Sequence, residues 1–122
     1  MSEAKRTLVV MMTMGIDHEL SSVGFTIACG GLTAGLDVCM FLTSASVDLV
    51  RKRSIDVTVV PPLSPLRELV QDFMKRGGEV FACTPCVKAR GYEQSDLIEG
   101  VMISGASVIH ERIKQGAATL SF

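Results

Sequence analysis

The chain has no tryptophan and one tyrosine, and with five phenylalanines its aromatic share is 5%. Base-stacking platforms are built from such rings, so a nucleic-acid partner is not expected. An excess of charge of one sign is missing too. Twelve Lys and Arg face 13 Asp and Glu, for a net charge of −1, and without a basic run neither nucleic acid nor an anionic membrane surface is an expected partner. No stretch approaches the roughly 18 uninterrupted apolar residues that a membrane helix needs. Met1-Ser2-Glu3-Ala4-Lys5-Arg6 does not lead into a signal peptide, because the apolar run from Leu8 to Met14 is short and stops at Gly15-Ile16-Asp17-His18. The expectation is a cytoplasmic protein with no membrane partner.

What remains is a hydrophobic fraction of 48% spread over 122 residues, enough for one core, so residues 1–122 are expected to form a single domain. Thr7 to Met14 is nearly all apolar with β-branched members, the pattern of a parallel strand covered on both faces. A helix starting at Asp17 or His18 carries Leu20, Val23, Ile27, Ala28 and Leu32 at helical spacing and stops near Gly35, and Leu36 to Thr43 is a second buried strand. Ser44 or Ser46 caps a short helix to Arg53, and Val57 to Val60 reads as a further extended piece. Ser64 as N-cap and Pro65 at the first position open a helix with Leu66, Leu69, Val70, Phe73 and Met74 on its apolar face, closed by Gly77-Gly78. Later come strands ending at Cys83, over Gly100 to Ser104 and over Ala117 to Phe122, with a helix over Ser107 to Gln115. Strands alternating with helices imply an α/β three-layer sandwich, its sheet mostly parallel with helices on both faces. In such sheets ligands bind beyond the carboxyl ends of the strands, which gathers Gly15 to His18, Ser44 to Ser46, Pro61 to Ser64, Cys83 to Cys86 and Gly105 to Ser107 along one rim.

Four cysteines in a reducing compartment are buried, catalytic or metal-binding rather than disulfide-bonded. Cys83 and Cys86 stand where a strand turns into a helix, with Thr84 placed as N-cap and Pro85 at the first helical position. The positive end of a helix lowers a thiol pKa from about 8.5 toward a range of roughly 3.5–7.5, and the thiolate is the reactive form. A Cys-x-x-Cys pair is also half of a zinc site, but a structural zinc takes about four ligands and neither Cys29 nor Cys39 has a ligand close in sequence. Those two read as packing residues, and no metal or cofactor is expected. His18 can face the thiols or simply start its helix, Lys88 and Arg90 can fold back on a thiolate or stay solvated, and Ser107 after the Gly105-Ala106 turn can offer backbone N–H groups to an anion. His110 reads as a surface residue and the seven methionines as core filler.

The opening strand, the long helix after it, the Cys83 strand, the run Val87-Lys88-Ala89-Arg90-Gly91 and the closing Ala118-Thr119-Leu120-Ser121-Phe122 resemble the DsrE/DsrF-like family of small sulfur-relay proteins. The most specific element is a cysteine at a strand end followed eight residues on by the glycine that closes a short apolar and basic helix, here Cys83 and Gly91. The resemblance implies a flavodoxin-like sandwich with a five-stranded parallel sheet, assembly into trimers or hexamers, and sulfur donor and acceptor proteins or small persulfides as partners. It also implies that Cys83 is the persulfide carrier. Many such proteins have one cysteine at this place; the second, Cys86, would act as a resolving thiol. Two other readings stay open at this point: a thiol–disulfide oxidoreductase using Cys83 and Cys86 as a reversible pair, and a non-enzymatic oligomeric binding module. In the first reading Gly15, His18, Ser44, Thr84, Pro85 and Ser107 would line the binding site around the two catalytic thiols.

Overall fold

A computed structural model describes residues 6–122; the leader reading at Met1 to Lys5 lies outside them. Five parallel strands, β1 (Thr7–Met12), β2 (Asp37–Leu42), β3 (Glu79–Cys83), β4 (Met102–Ser104) and β5 (Ala118–Ser121), form one sheet in the order β4-β3-β2-β1-β5. The middle strand β2 is buried from Val38 to Leu42, as its unbroken apolar run requires of a strand covered on both faces. Four helices complete the α/β fold: α1 (Glu19–Thr33), α2 (Leu66–Lys75), α3 (Thr84–Ala89) and α4 (Ser107–Lys114).

Because successive strand residues point to opposite faces, Leu8, Val10, Met12, Val38, Met40, Leu42, Val80 and Ala82 point to one side. They form the larger core with Phe25 and Ala28 of α1, Leu66, Val70 and Phe73 of α2, and Val87 of α3. Val9, Cys39, Phe41 and Phe81 point to the other, where Ile109 of α4 covers them. One face therefore carries three helices and the other only α4, as right-handed crossovers demand when β1 to β4 are laid down in one direction and β5 in the reverse.

Helix α1 buries Phe25 and Ala28, with Leu32 packed against the core, but of the residues at helical spacing Ile27 lies outside. Ser21, Ser22, Gly24, Phe25, Ala28, Cys29 and Gly31 are buried, while Ile27 is 37% exposed. The cause is close approach: a Cβ on Gly31 would stand 3.0 Å from a Val38 methyl, and one on Gly24 would overlap the fully buried Met12 side chain. Small residues let the helix lie against both α2 and the sheet.

Other expectations shift by local chemistry. Val57 to Val60 is not a strand: a 3-10 turn covers Ser54–Val57, no strand pairs with the segment, and Val57 and Val59 are exposed. The N-cap of α2 is Pro65 rather than Ser64, with no side-chain cap bond, and the Leu66 N–H is taken by the Thr58 carbonyl. The segment after β2 is a 3-10 helix, Ser44–Val50, whose N-cap is Thr43 rather than Ser44 or Ser46; the Ser46 hydroxyl instead donates to the carbonyls of Met12 and Thr43.

Candidate functional site

Parallel strands put all their carboxyl ends on one rim, and the two central ones, β2 and β3, bring the rim thiols together with their partners. Leu42 pairs with Ala82, so the next residues, Thr43 and Cys83, sit side by side at the top of the sheet. Thr43 keeps the extended conformation, and Ser44 then enters the left-handed region at φ 56. Such a conformation costs a residue with a Cβ about 1–2 kcal/mol, so neighbouring interactions hold it there. Its effect is to aim the Ser44 N–H at Cys86 Sγ, 3.1 Å away, while Thr43 Oγ1 lies 3.5 Å from the same sulfur.

Helix α3 starts one residue earlier than expected. Cys83 is its N-cap, Thr84 its first residue and Pro85 its second, and no side chain caps it. Thr84 is therefore not the capping residue: the chain leaves β3 directly into the helix, and the position ahead of the first turn falls on the last strand residue. Cys83 and Cys86 are both half-buried free thiols with α3 carrying the second over the end of β2. The Cys86 pKa is lowered from its ordinary value, first by the Thr43 hydroxyl, with further help from the Ser44 N–H, the Cys83 thiol and the Arg90 charge against an opposing burial effect. The donors that favour the thiolate thus come mainly from the end of β2, not from the helix terminus that the sequence pointed to.

Arg90 does fold back. Its Nη1 donates to the Cys86 carbonyl at 3.3 Å and its Nε stands 3.6 Å from Asp48 Oδ1. Asp48 also accepts the Tyr92 hydroxyl at 2.6 Å, and the Arg51 guanidinium lies 4.9 Å from the centre of the Tyr92 ring. Lys88 is exposed on the helix surface.

The remaining expected site residues lie elsewhere on the rim. His18 caps α1, its Nδ1 accepting the Leu20 N–H at 3.1 Å, and it borders a shallow cavity of about 330 Å³ shared with Ile16, Asp17, Glu19 and Val57 to Val60. Gly15 lies in the loop after β1 beside Ala45, which a Cβ there would meet at an ordinary contact distance of 3.4 Å. Ser107 opens α4, exposed, after the end of β4. Strand order reverses between β1 and β5, the usual ligand crevice in open α/β sheets, yet here Thr13 donates from both N and Oγ1 to the Phe122 carbonyl across that gap. Thr43 and Asp48 were missed by the sequence reading; the signal for Thr43 was its place at the end of the strand beside the cysteine strand. Among the described residues no group of three or more His, Cys, Asp or Glu side chains is placed to hold a metal, and no helix is long and apolar enough to cross a membrane.

A sequence model of the DsrE/DsrF-like family matches residues 5–122. The chain belongs to that family. An uncharacterized protein of Methanopyrus kandleri is 30% identical over 114 residues, 93% of this chain and 91% of the relative, and one of Methanocaldococcus jannaschii is 29% identical over 88% and 90%. Among solved structures, the ychN protein of E. coli superposes with a TM-score of 0.77 at 17% identity, over 98% of this chain and all of that one. A protein of unknown function from Methanobacterium thermoautotrophicum gives 0.73 at 21% over the same shares. At these identities the structures speak for a DsrE-like fold. Family membership gives a sulfur-relay-related role.

Proposed function

We propose that this DsrE-like chain relays sulfane sulfur through the Cys83–Cys86 pair. The observation that carries the reading is Cys86 Sγ facing two donors, the Ser44 N–H and the Thr43 hydroxyl, with the Cys83 thiol within hydrogen-bonding reach. A thiolate attacks the outer sulfur of a donor persulfide R–S–SH; the new bond from the cysteine sulfur forms, the S–S bond of the donor breaks, and RS⁻ leaves. No net oxidation occurs, so no further redox partner is needed. Cys86 is the thiol best prepared to be that nucleophile. Attack by the Cys83 thiolate on the outer sulfur of the Cys86 persulfide then forms the bond to Cys83, breaks the S–S bond to Cys86 and regenerates the Cys86 thiolate. In that order Cys83 keeps the carrier role that the family pattern gives it, and Cys86 is the entry thiol rather than the resolving one.

Incubation with a small persulfide donor, followed by intact mass, is expected to add one sulfur to the wild-type chain. Cys86→Ser is expected to slow uptake, and Cys83→Ser to leave the adduct on Cys86 while slowing delivery to an acceptor thiol. No adduct on the wild type, or an adduct unchanged in both variants, overturns the reading.

The proximity of the two thiols also supports a second reading, a reversible Cys83–Cys86 disulfide. Mild oxidation that yields an internal disulfide with a defined potential, together with no sulfur uptake, would favour it.

A further inference from the structure

The segment that cradles Cys86 is anchored along its middle, where Ser46, Val47, Leu49 and Val50 are fully buried and the Ser46 hydroxyl donates to the Met12 carbonyl. Ser44 is exposed and in a left-handed conformation, and the 3-10 helix it opens is a form with poor hydrogen-bond geometry, uncommon beyond a few residues. Ser44 lies ahead of these buried residues and faces α3. The lower part is tied down at Val50 to Lys52, where the Ile98 N–H donates to the Val50 carbonyl and the Lys52 N–H to the Asp96 carbonyl. Between that anchor and Ser44 the side-chain link to the chain carrying Cys86 is Asp48, which takes the Tyr92 hydroxyl and the Arg90 guanidinium just past the end of α3.

We propose that Tyr92 and Asp48 are positioning residues for Cys86: their hydrogen bond locks the Ser44–Val50 segment to the chain leaving α3 and so holds the Ser44 N–H on the Cys86 sulfur. Two contacts then span the same two segments, Ser44 to Cys86 at one end and Asp48 to Tyr92 at the other. With the lower contact cut, the left-handed Ser44 can relax and its N–H swings away. Tyr92 stays a donor throughout the neutral range, because acceptance by Asp48 and burial raise its pKa. The titratable or charged groups around Cys86 are the Cys83 thiol at the end of β3 and Arg90 from the end of α3, with Asp48, Tyr92 and Arg51 behind Arg90. This inference needs Cys86 to be the reacting thiol but does not depend on sulfur transfer.

The test is the rate of alkylation of Cys86 by iodoacetamide as a function of pH, on the full chain, with the modified cysteine located by fragment mass spectrometry. Tyr92→Phe removes the hydroxyl without changing the charge at neutral pH. It is expected to slow alkylation at pH 7 by roughly three- to tenfold through a midpoint moved up by about half to one unit, with the rate at high pH unchanged. Cys29 and Cys39 should stay unreactive in the same samples. An unmoved or lowered midpoint overturns the proposal, as does a gain in Cys29 and Cys39 labelling, which would mean general loosening. If Tyr92→Phe lacks the wild-type circular dichroism, Asp48→Asn takes its place. Removing a nearby negative charge would by itself lower the Cys86 midpoint, so a raised midpoint supports positioning, and a lowered or unmoved one overturns it. A shifted profile without sulfur uptake would sink the relay and leave this inference standing; an unshifted profile with uptake would do the reverse.

Discussion

The two core thiols and the two rim thiols of this molecule share one side chain and differ in how deeply it is buried and in what faces the sulfur. Cys29, buried between α1 and α2, donates its proton toward the Leu69 carbonyl at 3.5 Å. Burial, followed by the Asp72 charge, pushes its pKa up to about 11, with Arg76 partly offsetting. Cys39, on the α4 side of β2, is likewise pushed up to about 11 by burial, with Arg112 pulling the other way. Cys86 accepts where Cys29 donates. A sulfur that receives a hydroxyl and an amide is stabilised without its proton, and a sulfur that must give its proton to a carbonyl is stabilised with it. Burial keeps the core thiols protonated, and donors at the end of β2 favour the thiolate at Cys86.

The broadest prediction tests that separation directly. A thiol with a pKa of about 11 is roughly one part in ten thousand thiolate at pH 7, whereas one below 9 is at least about one part in a hundred. Alkylation at pH 7 should therefore favour Cys86 over Cys29 and Cys39 by about a hundredfold or more, and denaturant should erase the difference; a uniform rate in the folded chain would break the comparison. Next in size is an alkaline loss of stability. Cys29 and Cys39 have folded pKa values above the ordinary 9.0, so the folded state holds their protons longer than the unfolded one. That contribution is complete below about pH 9 and is lost as pH rises toward 11, on the order of 2 kcal/mol per thiol. Denaturant midpoints against pH should show it, and Cys39→Ala, although less stable at pH 7, should flatten the alkaline limb.

A smaller effect sharpens the rim side. Thr43→Val keeps the shape at the end of β2 but removes the leading stabiliser of the Cys86 thiolate; alkylation at pH 7 should fall by roughly threefold, with the rate at high pH preserved. The smallest concerns Ser44. Glycine adopts its left-handed φ freely, saving about 1–2 kcal/mol against an entropic cost of roughly 0.5–1 kcal/mol. Ser44→Gly should thus raise the denaturant midpoint by the equivalent of about 0.5 kcal/mol while leaving Cys86 as reactive, because the donor is a backbone N–H. A large loss of reactivity would show that the serine side chain takes part.

The alternation of apolar runs made the strands and the rim legible in the sequence, and the rim rule correctly put Ser44 near the cysteines. What periodicity could not supply was the donor: Ser44 acts through its N–H, and its φ depends on tertiary contacts with α3. The α1 face was read in part: Ala28 and Leu32 pack inward as expected, and Ile27 does not. Large apolar residues at helical spacing normally mark the buried side, but here Gly24 and Gly31 are the residues that can approach Met12 and Val38, and no apolar count reveals a site where absence of a side chain is what packs. Asp48 and Tyr92 are 44 residues apart, and nothing local in either stretch announces their bond.

Thr43 follows the last residue of β2 and stands beside Cys83, the last residue of β3, so the spacing within the site is inherited from the spacing of the sheet, about 4.7–4.9 Å between neighbours. The thiol site is in that sense a gauge mounted across β2 and β3. Its lowered midpoint should be lost with the sheet itself, in the same cooperative step, so that one chemical signal reports the mechanical integrity of the whole core.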